Sequence, residues 1–67
     1  MTVYGHLAQT YGNVNLELQV IRSAAGFYLG TLQAGIPYSR ESVEYWQTEA
    51  AARRALGTGA WTQRLNP

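Results

Sequence analysis

The chain has 67 residues, no cysteine and a net charge of +1. That length admits one domain, residues 1–67, and a domain this small buries only about 60% of the surface its unfolded chain exposes. Disulfides are excluded and His6 is the one histidine, so a structural zinc and any other metal or cofactor are not expected, and stability rests on packing or self-association.

All the positive charge is arginine (Arg22, Arg40, Arg53, Arg54, Arg64) and all the negative charge is glutamate (Glu17, Glu41, Glu44, Glu49). The near balance gives no strong field for steering nucleic acid. A GC-rich genome accounts for such a bias; arginine also suits bidentate and stacked contacts in interfaces. The first residues carry no basic region, and no apolar run has the length of a signal peptide or a membrane span,. A cytoplasmic setting without membrane contact is the expectation.

Taken in chain order, Val3 to Ala8 reads as a first strand closed by a turn at residues 9–12, although Gly5 weakens it,. Residues 13–20 alternate without a break: Val14, Leu16, Leu18 and Val20 against Asn13, Asn15, Glu17 and Gln19. That period of two marks a half-buried antiparallel strand. A connection at residues 22–26 leads to a second strand over Phe27 to Leu32, and residues 33–37 read as a turn containing Gly35 and Pro37,. Residues 37–42 read as a polar, arginine-bearing loop between strands.

Residues 39–46 admit two readings. As a helix, Ser39 caps a run reaching Leu56. As a strand, Val43 and Tyr45 share one face and Glu44 and Trp46 the other; the close succession of Val, Tyr and Trp favours the strand,. Thr48 followed by Glu49 then supplies an N-cap hydroxyl and an acid in the first turn of a helix over about 49–56. Ala52, Ala55 and Leu56 form its inner stripe, Glu49 and Arg53 stand four apart, and Gly57 is placed to stop it in the left-handed conformation, with Gly59 preventing continuation,. Trp61 folds back over this junction, leaving a tail. The expected architecture is α+β: a three- to four-stranded antiparallel sheet (about 2–46), one C-terminal helix packed on one face, and a tail over 60–67. Tyr28, Trp46 and Tyr38 are the candidates for the open face.

Catalysis is not expected. With no Cys, Asp or Lys, only His6, four glutamates and hydroxyls remain as acids, bases or nucleophiles,. Glu41 and Glu44 read as a solvated face, and Gly57-Thr58-Gly59 is too short for a dinucleotide fingerprint. A sheet followed by one helix, carried by Gly26-Phe27-Tyr28-Leu29-Gly30-Thr31 and Thr48-Glu49-Ala50-Ala51-Ala52, resembles the amino-terminal DNA-binding domains of tyrosine recombinases. Their outer sheet face is rich in basic residues; here Arg22 and Arg40 stand against Glu17, Glu41 and Glu44, a departure that counts against phosphate binding.

Two Trp and five Tyr exceed what so small a core absorbs, and Tyr, Trp and Arg are the commonest interface anchors. The expected contact set is therefore Tyr28, Tyr38, Arg40, Trp46, Arg53, Arg54, Trp61 and Arg64, although Trp46 and Trp61 equally suit the lid of a thin core. The run from Gly35 to Trp46, followed by an alanine-rich helix and Trp61-Thr62-Gln63-Arg64, resembles small accessory proteins of plasmids and phages. That resemblance implies a stand-alone protein that docks on a protein or ribonucleoprotein partner, as anti-CRISPR inhibitors of host defence do. A DNA-binding sheet and a homodimer formed through the open sheet face are the alternatives.

Overall fold

The computed structural model describes residues 3–67, so the expected start of the sheet at residue 2 lies outside them. Five elements follow in order: α1 (His6–Gly12), β1 (Gln19–Ser23), β2 (Gly26–Gln33), β3 (Ile36–Arg40) and α2 (Glu49–Thr58). The strands form an antiparallel sheet in the order β1-β2-β3. The α+β class and the C-terminal helix on one sheet face follow the sequence pattern. No helix among the described residues is long and apolar enough to cross a membrane.

The sheet is built by two tight hairpins. Ser23 opposes Gly26 across Ala24-Ala25, and the Ser23 hydroxyl donates to the Gly26 carbonyl (2.9 Å) while accepting from the Ala25 N–H (3.2 Å). The second turn is Ala34-Gly35, with φ of 53° and 79°. Two successive positive φ values match the right-handed twist of the flanking strands, and glycine meets the second without strain. This turn makes residues 36–40 a strand, correcting the expectation of a loop after Pro37. Proline is tolerated there because β3 is an edge strand with a register shift opposite Thr31/Leu32,.

Pleating divides the sheet residues between two faces. Leu29, fully buried, meets Leu18 and Ala52 on the α2 side, with Val20, Phe27, Trp46, Leu56 and Trp61 packed round them. The alternation over 13–20 is preserved as burial, although regular pairing with β2 starts only at Gln19. Helix α2 starts where Thr48 accepts the Ala51 N–H (3.1 Å), as the cap signal predicted. It ends later than expected: Gly57 lies within the helix, and Gly59 (φ 76°) is the left-handed residue, its N–H bonding the Ala55 carbonyl. Ala52 and Ala55 face inward, and their small side chains let the helix lie close to β1 and β2.

Residues 42–46 form neither a helix nor a regular strand. Ser42 bridges Gln63, and Trp46 bridges Phe27 through reciprocal backbone bonds of 2.8 and 2.7 Å. The extended character expected of this segment is present at its two ends. The first segment departs further from expectation. Residues 3–5 do pair with 16–18, through Gly5 N–H to the Leu16 carbonyl (2.9 Å) and Leu18 N–H to the Val3 carbonyl (2.7 Å). From His6 onward, however, the chain is helical. Leu7 and Ala8 are the buried residues of this helix of about two turns,, and its stabilisation comes from a distant residue.

Candidate functional site

Helix α1 has no cap of its own: Gly5 occupies the N-cap and offers no side chain. The orphaned N–H groups of the first turn are instead taken by the Glu41 carboxylate, just beyond β3. Leu7 N–H donates to Oε1 at 2.8 Å and Ala8 N–H to Oε2 at 3.1 Å. The same oxygens accept the Ser39 hydroxyl (2.6 Å) and the Gln63 side-chain amide (2.8 Å). Ser39 Oγ also shares a 2.6 Å hydrogen bond with Thr31. Glu41 is 0% exposed, which corrects the expectation that it belongs to a solvated face.

A buried carboxylate is costly unless its lone pairs are satisfied. Here burial pushes the Glu41 pKa up, but the donors from Leu7, Ser39, Gln63 and Ala8 outweigh it and hold the carboxyl below its ordinary value,. The negative charge also sits at the positive end of α1. One side chain thus joins three parts of the chain: α1, β3 and the C-terminal segment. Backbone bonds finish the junction. Arg64 N–H donates to the Glu41 carbonyl (2.7 Å) and Val43 N–H to the Thr62 carbonyl (2.9 Å). Glu44 accepts the Thr62 N–H with both oxygens, at 2.9 and 3.1 Å. The slight burial of Glu44 raises its pKa, the bonds from Thr62 lower it, and the net shift is downward. The start of the expected tail is therefore tied back to residues 41–44.

Above this junction lies a groove of about 300 Å³ lined by α1 (Leu7, Tyr11, Gly12), β3 (Tyr38, Ser39, Arg40) and the tail (Arg64, Pro67). Leu7 is buried at its floor. Tyr11 (57% exposed) and Tyr38 (43%) present ring surface to solvent. The Tyr38 hydroxyl occupies the space that a Cβ on Gly12 would need, so glycine at the end of α1 lets the two walls close on each other. The Tyr11 hydroxyl reaches the Leu65 carbonyl and Asn66 Oδ1 at 3.4 and 3.3 Å. Arg64 Nη1 makes a long bond of 3.4 Å to the Arg40 carbonyl.

The expected contact residues separate into distinct places. Tyr38, Arg40 and Arg64 come together in this groove. Trp46 and Arg54 line a different, shallow depression beside α2, together with Ala51, Ala55, Thr58 and Ala60. Arg53 belongs to a third, between α2 and the β1 edge, where it pairs with Glu49. Trp46, expected on the open face, is instead half-buried on the α2 side against the apolar core, as is Trp61. Tyr28, expected on an open face, is 8% exposed. It opposes Ile21 in the sheet and takes the edge of Tyr45 at 5.8 Å between ring centres. Burial raises the Tyr28 pKa, Tyr45 adds to that, and Arg40 opposes it. The Arg40 guanidinium lies 4.9 Å from the centre of the Tyr45 ring and donates to the Tyr45 hydroxyl, while its Nε is buried without a hydrogen-bond partner.

Sequence reasoning did not include Glu41, Leu7, Tyr11, Ser39 or Gln63 in a site. Glu41 looks like any surface glutamate because, Ser39 apart, its partners Leu7, Ala8 and Gln63 lie 22 to 34 residues away. The one available signal was a first turn lacking a capping side chain. Among the described residues no group of three or more His, Cys, Asp or Glu side chains is placed to hold a metal ion. No family model, no curated protein and no solved structure matches the chain, so the functional reading rests on the geometry of the groove.

Proposed function

We propose that this chain is a small binding protein without catalysis of its own, which docks on a protein or ribonucleoprotein partner through the groove between α1, β3 and the C-terminal segment. The observation that carries this reading is the convergence there of Tyr38, Arg40 and Arg64 with the exposed Tyr11 ring over one floor. Tyrosine and arginine clustered round a concave apolar floor are the composition of interface anchors. The carboxylate beneath the groove is fully engaged in hydrogen bonds, which suits a scaffold for the walls rather than an acid or base. The cytoplasm is the compartment this reading assigns. The resemblance to plasmid and phage accessory proteins adds a role as an inhibitor of host-defence machinery.

The test is a capture experiment from cell lysate with and without nuclease, comparing the native protein with the variants Tyr38→Ala and Arg64→Gln. The reading predicts a protein or ribonucleoprotein component that survives nuclease treatment and is lost with both variants. Recovery of nucleic acid alone, lost on nuclease treatment, would instead favour a DNA-binding sheet. A concentration-dependent size in solution with no captured component would favour the homodimer.

A further inference from the structure

We infer that the groove takes a short acidic segment of a protein partner, with a carboxylate at Arg64 and an apolar side chain between the rings of Tyr11 and Tyr38. This rests on the docking reading above and names the chemistry of what docks. Charge complementarity carries it. Arg40 and Arg64 both border the groove, and the ion pair formed among the described residues is Arg53–Glu49, beside α2. The two carboxylates nearest in the chain form no ion pair with either arginine. Glu41 is sealed beneath it with its oxygens taken by N–H and O–H donors, and Glu44 spends both oxygens on the Thr62 N–H. Neither carboxylate pairs with Arg64, so the guanidinium N–H groups of Arg64, apart from the long Nη1 bond, remain open to an incoming carboxylate.

Arg64 is the better placed of the two arginines to meet a ligand. The Arg40 guanidinium is held on the Tyr45 ring, whereas Arg64 is restrained through Nη1 by a single 3.4 Å bond to a backbone carbonyl. Turning towards a carboxylate costs that side chain little, and a planar guanidinium binds a carboxylate through two parallel N–H···O bonds. The volume of about 300 Å³ has room for a few side chains. Phosphodiester recognition draws its affinity from neutralising several phosphates along a track. The remaining arginines, Arg22 on β1 and Arg53 and Arg54 on α2, lie outside the groove.

A displayed library of random dodecapeptides, selected on the immobilised full chain, tests this. Enriched sequences are resynthesised and titrated by fluorescence anisotropy. The expected winners carry Asp or Glu beside an aromatic or aliphatic residue, and bind less tightly as salt rises. Affinity is expected to fall about tenfold or more in Arg64→Gln and in Tyr38→Ala, and to stay unchanged in Arg22→Gln. The Arg64 backbone bond to Glu41 does not depend on its side chain, and circular dichroism verifies that each variant is folded. Neutral or basic winners that still lose affinity in the groove variants would overturn the acidic inference and leave the docking reading standing. Winners indifferent to both variants, or no enrichment, would remove both. A single-stranded oligonucleotide that outcompetes every peptide through Arg64 and Tyr38 would reassign the groove to nucleic acid.

Discussion

The two ends of the sheet are held by opposite kinds of chemistry. On the α2 side, Leu18, Leu29 and Ala52 make an apolar core with a ring of aromatic and aliphatic side chains round it. On the α1 side, fully buried Glu41, Ser42 and Thr31 sit where a core of the same depth would be aliphatic. The first half is stabilised by area removed from water, which tolerates imprecision. The second depends on complete hydrogen bonding, which does not. The difference teaches where the molecule is brittle: the groove stands over the polar half and inherits its sensitivity.

The largest effects separate the halves. Glu41→Ala leaves the Leu7 and Ala8 N–H groups, the Ser39 hydroxyl and the Gln63 amide without their shared acceptor. At about 1–3 kcal/mol for each buried donor left unsatisfied, its expected cost is several kcal/mol. Leu29→Ala on the apolar side is expected to cost about 2–5 kcal/mol. Either is a large part of the roughly 3–10 kcal/mol available to a chain of this length, and urea titration monitored by circular dichroism reads both. The comparison sharpens with pH. Because Glu41 is held below its ordinary value of 4.5, its contribution is fully present above that value. It is lost as pH falls through the lower folded-state value, since the unfolded chain then binds more protons than the folded one. The native protein and Leu29→Ala should share this acid loss, whereas Glu41→Gln should show a reduced slope, Glu44 supplying what remains.

What could be read from the sequence divides along the same line. The α2 half is written in local signals: the alternation from Asn13 to Val20, the Thr48 cap, and the spacing of Ala52, Ala55 and Leu56. Each acts within a few residues, so the sheet and the helix were legible. The α1 half is written in long-range partners. His6 to Gly12 carries no cap and little helical periodicity, and it folds as a helix because a carboxylate more than 30 residues away accepts its first N–H groups. The same distance hid the site. Tyr38, Arg40 and Arg64 were recognisable as interface types, but only the junction at Glu41 brings them together and leaves Arg53 and Arg54 elsewhere. Tyr28 was misplaced for a simpler reason: its exposure depended on whether Tyr45 would cover it.

Smaller effects refine the contrast. Gly12→Ala introduces a Cβ where the Tyr38 hydroxyl lies, so that ring must swing away. The expected signature is lost groove binding with a stability change of about 1–3 kcal/mol, of the size seen for overpacking. Thr48→Ala removes the cap of α2 and is expected to cost about 1 kcal/mol without touching the groove. Arg53→Ala breaks an exposed i,i+4 pair and is expected to change thermal stability by no more than about 0.5 kcal/mol,.

One buried carboxylate, Glu41, joins α1 to β3 and the C-terminal segment. Amide hydrogen exchange resolved by residue, on the native protein and on Glu41→Gln at neutral pH, tests it most directly. Slow exchange is expected at Leu7 and Ala8 in the native protein, accelerated tenfold or more in Glu41→Gln, while the Trp46 amide, bonded to the Phe27 carbonyl on the apolar side, changes only with global stability,. Rapid exchange at Leu7 and Ala8 in the native protein, or protection that survives the substitution unchanged, would contradict it.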